Sequence, residues 1–511
     1  MNIGSKLVKS VVIVGGGTSG WMTAAALSHH FKTQFPQHTP KITVVESSQL
    51  GTIGVGEATI PTLRRFYKKL GFSDIEVIKA TNATCKLGIE FKDWQGDGNS
   101  FVHPFGLFGQ GTKEVPFHHY WLKAQKKHPS DLSDYSLGVN LAQQNKFFFP
   151  AETPTSQLDV FDWALHFDAV LFANLMRDYS VKQGVEIVDN FIEQAQINKG
   201  TGDIDSITFQ DGRNITADLF IDCSGFKALL IEGALKTGYD DWSHWLLCDR
   251  AIAVQSRSTQ APIACTIAQA QKAGWQWQIP LQYRMGNGYV YSSKYSSDED
   301  AKASLLSNID GELLHEPRSF SFTPGRRKKA WNKNCIAVGL ASGFLEPLES
   351  TSIALVETAI DKILLTFNKS LPEYNVQDVE RFNEVNAQEY ERVRDFIILH
   401  YKINQRTDSP MWQYYRDMDI PKTLQDKMHK FKQDGTIVRY PWEIFGSDSW
   451  LAIFNGFNFM PDRYDQRADK MDADYLTEHL EKMRTMVQSQ VDKSPSHHEF
   501  LTLHCQYKSN F

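Results

Sequence analysis

The sequence predicts an α/β fold of the two-dinucleotide-binding type, in which a Rossmann-like sheet with a GxGxxG loop is joined to a mainly helical substrate-binding module. A run of β-branched residues, 10–14, leads straight into glycines at the GxGxxG spacing. A second apolar strand, 219–222, returns to the sheet and ends in an aspartate. From about residue 372, apolar residues recur at i, i+3 and i+4, which indicates helices packed on a core.

These patterns divide the chain into two parts. Residues 1–370 predict a nucleotide-binding domain, with an excursion of little periodicity at about 110–160. Residues 371–511 predict a helical module that packs on this domain, because no low-complexity linker separates the two. We expect this module to complete the substrate pocket, on the resemblance described below. With 511 residues and 41% hydrophobic content, the chain can bury one large core or two smaller ones.

Charge and cysteine usage exclude several classes of protein. The 54 Lys and Arg residues stand against 60 Asp and Glu, and no basic tract occurs, so we expect no nucleic acid partner. Six scattered cysteines without a CxxC pair favour reduced thiols in the cytoplasm and predict no metal site. No apolar run approaches 18 residues and no cleavage signal is evident, so we expect neither secretion nor a membrane span.

The glycine-rich start has the order of a dinucleotide fingerprint. Gly15 allows a tight turn, Gly17 lets the backbone approach a pyrophosphate, and Gly20 lets the following helix pack closely on the strand. The N-terminus of that helix then faces the phosphates. The next strand, 41–46, ends in Glu46, the acid expected to bind a ribose hydroxyl. This fingerprint alone does not distinguish FAD from NAD.

The following segments carry weaker signals. Residues 51–63 form a second glycine-rich loop, suited to close approach by a planar ring or a phosphate. Lys86 begins an alternating, strand-like run, and on this pattern alone it is expected to be a solvated residue at a strand edge. A single His–aromatic neighbourhood at His103 is more typical of core packing than of a site. Residues 163–176 predict a helix with Asp168 near its start.

The middle of the chain decides the cofactor. Residues 206–222 predict hairpin strands closed by the turn Asp211-Gly212, followed by a buried strand that stops at Asp222. A return to the sheet at a strand ending in D-x-S-G is typical of FAD-binding folds and much less common in NAD-only domains. The cofactor is therefore predicted to be FAD.

Two later motifs supply candidate chemistry. The alternation in residues 274–280 places Trp275 and Trp277 on one face of a strand, which by itself indicates a pair of core tryptophans. Residues 344–353 predict a compact turn after a buried strand, with Glu349 beside serine and threonine hydroxyls. A carboxylate there could take a proton from a substrate, and the consecutive backbone amides could bind a small anion.

Nine stretches together resemble one enzyme family. They lie in order up to about residue 412: VVIVGGGTSGWMTAAAL, GVGEATIPTL, CKLGIEF, HPF, HFDA, ADLFIDCSGF, GWQWQIP, AVGLASGFLEPLESTSI and LHYKINQRTDSPMW. The chain is similar in these stretches to the flavin-dependent tryptophan halogenases. GWxWxIP combined with FLEPLEST is specific to that family, and related flavin hydroxylases lack the pair.

The resemblance implies a defined reaction. A separate NAD(P)H-dependent flavin reductase would supply reduced FAD, which with oxygen would convert chloride or bromide to hypohalous acid. Halide would lie near the backbone amides of Thr351 and Ser352, and the oxidant would travel through the protein to Lys86. That lysine would bind it by a hydrogen bond or as a haloamine, two alternatives that the sequence leaves open. Glu349 would stabilise the cationic intermediate of the aromatic substrate and remove its proton.

The resemblance also assigns the remaining site residues. Trp275 and Trp277 would separate the flavin from the organic substrate, so that the flavin cannot hydroxylate it directly. The expected cofactor-binding residues are Gly15, Gly17, Thr18, Ser19, Gly20, Glu46, Ala58, Ile192, Leu340 and Ile353. The expected substrate-pocket residues are His103, Phe105, Trp442, Phe445 and Trp450. The resemblance allows a homodimer, and it leaves halide preference and regiochemistry open.

Two departures from the family pattern bear on halide and substrate. Ser352 stands where many members have glycine, which would reshape the halide site slightly. In tryptophan-specific members, the loop matching 440–450 carries tyrosines and a glutamate that bind the amino acid's charged end. Here the loop is YPWEIFGSDSW, with Gly446 at the position of that glutamate and Glu443 out of register. An indole or another electron-rich aromatic is therefore at least as good a candidate as free tryptophan.

Two other functions are compatible with parts of the sequence. One is a flavin monooxygenase that hydroxylates an aromatic ring, but such enzymes usually carry a late Gly-Asp pair where this chain has GLASGFLEP. The other is a non-catalytic flavin-binding protein, against which the presence of both Lys86 and Glu349 argues.

Overall fold

The computed structural model describes residues 4–49, 57–125 and 127–505 of the chain. It contains two compact units, and the chain passes between them repeatedly. The first comprises 1–82, 167–249 and 321–391, and the second comprises 83–166, 250–320 and 392–511. The expected boundary at residue 370 falls within the first unit, and the division into a flavin domain and a helical module stays a prediction. Within the described ranges, no helix is long and apolar enough to cross a membrane.

The first unit is built on a six-stranded sheet. Its strands lie in the order Trp331–Asn332, Cys335–Ala337, Leu219–Asp222, Ser10–Val14, Lys41–Glu46 and Glu186–Asp189. All neighbours are parallel except the first pair. Both faces of the central strands are buried, which explains why their sequences are continuous apolar runs. The strands predicted at 10–14, 41–46 and 219–222 are confirmed.

Smaller sheets and helices complete this unit. The small sheets contain Lys6–Leu7 with Glu373–Tyr374; Ile192–Ile197, Ile204–Phe209 and Asn214–Ile215; and Tyr239–Asp241, Gly325–Arg327 and Gly343–Phe344, and a further short strand is Glu57–Ala58. The helices are Thr18–Gln34, Thr62–Lys69, Asp74–Ala80, Ala169–Lys182, Leu229–Ala234 and Thr351–Thr366, with 3-10 turns Gly225–Lys227, Gly339–Ala341 and Pro347–Glu349. The long helix Val376–Lys402 begins here, and its last residues belong to the second unit. The hairpin predicted around Asp211-Gly212 is confirmed.

The second unit is built on a seven-stranded sheet. Its strands lie in the order Arg318–Ser321, Arg250–Arg257, Arg284–Tyr291, Gly274–Pro280, Cys265–Gln271, Gly88–Lys92 and Ser100–Pro104. Gly88–Lys92 runs parallel to Cys265–Gln271, whereas the tryptophan strand Gly274–Pro280 is antiparallel to both of its neighbours. A short strand, Thr84–Lys86, pairs antiparallel with Ala164–Phe167.

Three helices of the second unit were not predicted from the sequence: Phe117–Ala124, Leu137–Gln143 and Asp298–Ser307. Its other helices are Pro410–Asp417, Lys422–Asp434, Ser447–Gly456, Ala473–Lys493 and His497–Cys505, and its 3-10 turns are Leu132–Tyr135, Gln157–Asp159 and Gln466–Lys470. The first two of the three unpredicted helices lie in the excursion at 110–160, which contains more regular structure than its weak periodicity indicated. The helices expected after residue 372 are confirmed.

The single helix predicted at 163–176 is wrong in its first part. Residues Ala164–Phe167 are an entirely buried strand, and the helix begins only at Ala169. The side chain of Asp168 accepts hydrogen bonds from the backbone amides of Val170 and Leu171, as an N-cap does. Pairing with Thr84–Lys86 holds the apolar residues before this cap in an extended conformation.

Candidate functional site

The glycine loop after the first strand of the parallel sheet has the shape of a phosphate cradle. Gly15 has φ +118°, and a Cβ there would lie 2.3 Å from the carbonyl oxygen of Cys223. A Cβ on Gly20 would lie 1.8 Å from the carbonyl oxygen of Gly15, so the helix packs directly against the turn. A Cβ on Gly17 would meet nothing within 4 Å. The loop is thus closed on the protein side and open at Gly17.

The open position coincides with a helix N-terminus. Gly17 is the N-cap of the helix Thr18–Gln34, and no side chain caps its first amides. These amides and the positive end of the helix dipole are suited to a pyrophosphate. The residues present therefore fit the dinucleotide expected from the sequence. Thr18 and Ser19 lie in the first turn of this helix.

Glu46 lies beside the glycine loop. A Cβ on Gly16 would come within 1.9 Å of Glu46 Oε2, so the carboxylate borders the loop closely. The indole N–H of Trp21 donates to Oε2 at 3.2 Å, and Arg177 Nε lies 3.4 Å from Oε1. The carboxylate is partly exposed and positioned at the end of its strand, as binding of a ribose hydroxyl requires.

The other expected cofactor residues are more dispersed in the first unit. Ile192 is the first residue of the strand Ile192–Ile197 and packs against the core, and Leu340 is exposed in the 3-10 turn Gly339–Ala341. Ile353 is buried in the first turn of its helix, and Ala58 is buried in a short strand. The first part of the second glycine-rich loop, residues 51–56, lies outside the described residues. The cofactor role of these four residues stays a prediction.

Gly17→Val is expected to abolish FAD binding without unfolding the protein. The Cβ of Gly17 points into open space and its φ of −81° is normal for any residue, so the branched side chain fills only the cradle. We expect flavin affinity to fall by roughly 100-fold. Flavin titration of the variant, with Gly4→Val as a control at another open glycine, measures this. Unchanged affinity would place the cofactor elsewhere.

The turn that carries Glu349 ends at a helix N-terminus. The 3-10 turn Pro347–Glu349 is followed by Ser350 with φ 57°, and the helix Thr351–Thr366 begins immediately. The Glu349 side chain is buried. The Thr351 hydroxyl is buried and has no hydrogen-bond partner within the described part of the chain. No side chain caps the first turn of this 16-residue helix, so its amides can bind a small anion.

The same helix carries a second buried acid that adds no charge. Burial raises the pKa of Glu357 to about 8, so this side chain is neutral near pH 7. Its Oε1 has no hydrogen-bond partner among the described residues. Glu357 therefore adds no negative charge that would oppose a halide at the N-terminal end of the helix.

An arginine that the sequence analysis missed holds the strand leading into this turn. Arg327 donates from its backbone amide to the carbonyl of Ser342 at 2.7 Å and from Nε to that of Ala341 at 3.1 Å. Its Nη1 pairs with Glu232 at 2.7 Å. The chain just before the Glu349 turn is thus fixed by a half-buried ion pair, which no local motif revealed.

Lys86 is buried in the second unit, contrary to the expectation from the pattern alone. Its side chain is 0% exposed, and Nζ lies 5.2 Å from the centroid of the Phe105 ring. Both faces of the strand Thr84–Lys86 are buried. The alternation of apolar and polar residues therefore wrongly predicted that Lys86 is exposed to solvent. A fully buried lysine beside an aromatic ring is unusual, and this arrangement favours a functional lysine over a solvated surface residue.

Hydrogen bonds around Lys86 fix the state of a neighbouring histidine. Thr84 Oγ1 donates its one hydrogen to the carbonyl of Pro280 at 2.6 Å, so it must accept from Nδ1 of His166 at 3.0 Å. Nε2 of His166 then accepts from the Thr266 hydroxyl at 2.9 Å. Burial, with the nearby Lys86 charge, holds the pKa of His166 well below its usual range. His166 is therefore neutral.

A second neutral histidine comes from the last described helix. His497 Nε2 accepts the backbone amide hydrogen of Cys85 at 3.1 Å, and Nδ1 donates to the carbonyl of Pro262 at 3.0 Å. Burial lowers the pKa of His497 to about 4. Sequence reasoning missed this residue, because nothing in its local pattern connects it to a strand some 400 residues earlier.

The stability of the protein is expected to decrease between pH 6.5 and 4 through His497. The folded state holds this histidine neutral with a pKa of about 4, whereas the unfolded chain protonates it near 6.5, so its contribution is complete above pH 6.5 and lost as pH falls. The full effect is about 3 kcal/mol. Urea unfolding at several pH values, compared with His497→Gln, measures it: the variant should show a shallower decrease. Parallel curves would contradict the assignment.

The two tryptophans of GWQWQIP lie as predicted on one strand. Trp275 and Trp277 are both buried, with ring centroids 6.0 Å apart. Trp277 pairs in register with Gly288 of the neighbouring strand, where a Cβ would come within 1.9 Å of the indole ring. The indole therefore lies across the backbone of Gly288. This close packing makes the pair a rigid wall of the second unit.

Three of the expected substrate-pocket residues meet around one phenylalanine. The ring of Phe396 stacks on Phe445 with centroids 4.0 Å apart, and it contacts Trp450 at 4.9 Å and His103 at 5.8 Å. Sequence reasoning placed Phe396 only in an amphipathic helix. Trp442 stands apart, with φ 65° and 47% of its surface exposed.

A buried ion pair supports this aromatic cluster. Lys427 Nζ lies 3.9 Å from the centroid of the Trp450 ring and 2.6 Å from Glu443 Oε1. Glu443 Oε2 pairs with Arg439 Nε at 2.7 Å. Both carboxylate oxygens of Glu443 are thus occupied by cations of the protein itself.

Metal ligands are not grouped in the described ranges, where no set of three His, Cys, Asp or Glu residues could hold an ion. Four features together define a class of protein: the parallel sheet, the open glycine cradle, the buried carboxylate beside an uncapped helix N-terminus, and the buried lysine. They are the features of a flavoprotein oxidoreductase that handles a small anion.

Comparison with known proteins shows the family. The family model described as tryptophan halogenase matches residues 10–473, so the chain belongs to the tryptophan halogenase family. BrvH, a flavin-dependent halogenase from Brevundimonas sp. BAL3, is 50% identical with a TM-score of 0.93, covering 97% of this chain and 99% of that one. A flavin-dependent halogenase from Xanthomonas campestris is 41% identical with a TM-score of 0.92, covering 98% and 99%.

Curated relatives agree with the structural ones. Tryptophan 6-halogenase ThaL from Streptomyces albogriseolus is 34% identical over 498 residues, which cover 89% of this chain and 90% of the relative. The predicted fold class, family and FAD-dependent halogenase function are thereby confirmed, and the protein is an enzyme that uses FAD and halide.

Proposed function

We propose that this halogenase acts on an electron-rich aromatic without a free amino acid end, such as an indole, and takes its reduced FAD from a separate NAD(P)H-dependent reductase. Curated relatives are named for tryptophan. The observation that supports a substrate other than free tryptophan is the ion pairing of Glu443, whose two carboxylate oxygens are bound by Lys427 and Arg439. Glu443, three residues before the position where tryptophan-specific members carry their glutamate, is therefore already neutralised by cations of the protein.

The first unit supplies the cofactor and halide sites. Bound in its reduced form, FAD would supply the oxygen chemistry that converts chloride or bromide to hypohalous acid. The amides after Gly17 would hold its pyrophosphate, and Glu46 a ribose hydroxyl. The amides of Thr351 and Ser352 would bind the halide at the positive end of their helix. The Thr351 hydroxyl, which has no hydrogen-bond partner among the described residues, would assist them.

Lys86 would deliver the halogen in one of two ways. As an ammonium it would donate a hydrogen bond to hypohalous acid and make the halogen more electrophilic. As a neutral amine it would form an N–halogen bond. The oxygen–halogen bond of hypohalous acid would break, and its hydroxyl group would leave as water with a proton from the amine. Burial favours the neutral form, and the ring of Phe105 favours the cation, so the structure supports both.

Glu349 would complete the substitution. When the electrophilic halogen adds to a ring carbon, the ring becomes cationic and the hydrogen on that carbon becomes acidic. An ionised, buried carboxylate stabilises this cation and accepts the proton, which restores aromaticity. Trp275 and Trp277, held rigidly on their strand, would keep the aromatic substrate from the flavin.

The proposal is tested by reconstitution. Purified protein is combined with a flavin reductase, NADH, FAD and bromide, and a panel of indoles and phenols is analysed by mass spectrometry. We expect monobrominated indoles, with bromide required. Hydroxylated products in the absence of halide would instead identify an aromatic monooxygenase, and consumption of NADH without any modified arene would identify a flavin-binding protein.

A further inference from the structure

We propose that His497 is a positioning residue for Lys86, acting through the backbone amide of Cys85. This inference rests on the proposed role of Lys86 in halogen transfer. It assigns a part in the reaction to an imidazole from the last described helix, whose two ring nitrogens are hydrogen-bonded to the backbone of Cys85 and Pro262.

The strand that carries Lys86 leaves one amide to be bound from outside the sheet. Thr84–Lys86 pairs antiparallel with residues 164–166, and in such a ladder alternate residues direct their amides away from the partner strand. The amide of Cys85 is directed to the other side, in a fully buried environment, where it needs an acceptor. His497 Nε2 is that acceptor, at 3.1 Å.

The imidazole can serve only in one protonation state. Because Nε2 accepts from Cys85 while Nδ1 donates to the carbonyl of Pro262 at 3.0 Å, the ring is the neutral Nδ1–H tautomer. Its burial and low pKa, about 4, keep it in that state at neutral pH. Burial is the main cause of this low pKa, and the adjacent His498 lowers the pKa of His497 further.

The backbone of His497 is connected through hydrogen bonds to Leu87, the residue that follows Lys86. The amide of Leu87 donates to the carbonyl of Ala264 at 2.8 Å. The side-chain oxygen of Asn145 accepts from the backbone amide of Ala264 at 3.0 Å. The backbone carbonyl of Asn145 accepts from the backbone amide of His497 at 2.8 Å. The two amides that flank Lys86 are therefore fixed by one connected group of residues.

These hydrogen bonds fix the position of the Lys86 backbone and do not involve its side-chain amine. Loss of the Cys85 bond would let the strand shift while the flavin and halide sites remain unchanged. Because transfer of a short-lived oxidant depends strongly on small displacements, hypohalous acid would then escape before it reaches the arene.

Two substitutions separate the hydrogen bonds of His497. In His497→Asn, the amide can still donate to Pro262 but does not reach Cys85. In His497→Gln, the longer side chain places an acceptor at the position of Nε2. His504→Asn, an exposed histidine of the same helix, is the matched control.

Each protein is assayed for flavin affinity, for free hypohalous acid with a diketone trap, and for halogenated indole. In His497→Asn we expect the ratio of halogenated product to free hypohalous acid to fall about tenfold, with flavin affinity and total oxidant unchanged. His497→Gln and His504→Asn should stay within about twofold of the wild type.

Equal ratios in His497→Asn and the wild type, or equal losses in the Asn and Gln variants, would overturn the positioning role. A parallel loss of flavin affinity and total oxidant would show a merely structural role. If the wild type itself forms no hypohalous acid, the proposed function fails, which is a different outcome from failure of this inference.

Discussion

Replacing Lys86 by alanine is expected to abolish halogenation of the aromatic substrate while flavin binding and hypohalous acid formation continue. Lys86 is fully buried in the second unit, and the glycine cradle belongs to the first. Truncation therefore removes the group that we propose receives the oxidant, and it leaves the expected cofactor residues intact. We expect product formation to fall by about 10³-fold or more, the range for loss of a positioned charged group.

The Lys86 experiment has a matched control on a nearby strand. Lys92 is partly exposed, pairs with Glu90 and lies at the end of Gly88–Lys92, so Lys92→Ala should change activity little. Lys86→Met keeps the apolar stem and guards against an effect of lost packing. Halogenated product is measured by mass spectrometry, and free hypohalous acid with a diketone trap. Near wild-type halogenation by Lys86→Ala, or loss of its FAD, would refute the assignment.

Indole is expected to be turned over with a higher kcat/KM than L-tryptophan. A tryptophan pocket must neutralise both an ammonium and a carboxylate, and leaving either buried and unpaired costs on the order of several kcal/mol. Glu443 is committed to Lys427 and Arg439, while Phe445 and Trp450 offer apolar ring surface. We expect a preference for indole of roughly 100-fold, with substitution at the most electron-rich carbon.

Competition between indole and tryptophan in one vessel measures this preference directly. Gly446→Glu is the informative variant. Among the described residues, a Cβ at Gly446 would meet only Arg439 Nη1, at 3.7 Å, so the side chain fits. A carboxylate is also favourable there, because Gly446 is the N-cap of the helix Ser447–Gly456. It should raise kcat/KM for tryptophan relative to indole. A wild-type preference for tryptophan with one regioisomer would restore a specific tryptophan halogenase.

The sheet of the first unit was predictable because local and global signals agree there. Strands 10–14 and 219–222 are continuous apolar runs, as strands buried on both faces must be. The segment at 163–167 was not, because short apolar runs fit a helix and a buried strand equally well and only pairing with Thr84–Lys86 decides between them. The cap at Asp168 marked the true start of the helix.

The site was predictable where chemistry follows a motif and not where it depends on distant contacts. Gly15, Gly17 and Gly20 were identified from spacing. Gly15 has the positive φ and Gly20 the close helix packing that this spacing predicts, and the part of all three in cofactor binding stays a prediction. The burial of Lys86 and the commitment of Glu443 arise from segments far away in sequence, so alternation and register could not reveal them. The family resemblance, rather than local periodicity, singled out that lysine.

The long sequence separation between Cys85 and His497 has a kinetic consequence. The strand of Lys86 leaves the ribosome 412 residues before the imidazole that accepts its amide hydrogen. Contacts of such high sequence separation form late, because the chain entropy of closing the loop must be overcome first. The lysine strand is therefore among the last parts of the second unit to reach its final geometry during folding. A nascent chain that has already made the glycine cradle has no completed position for the lysine.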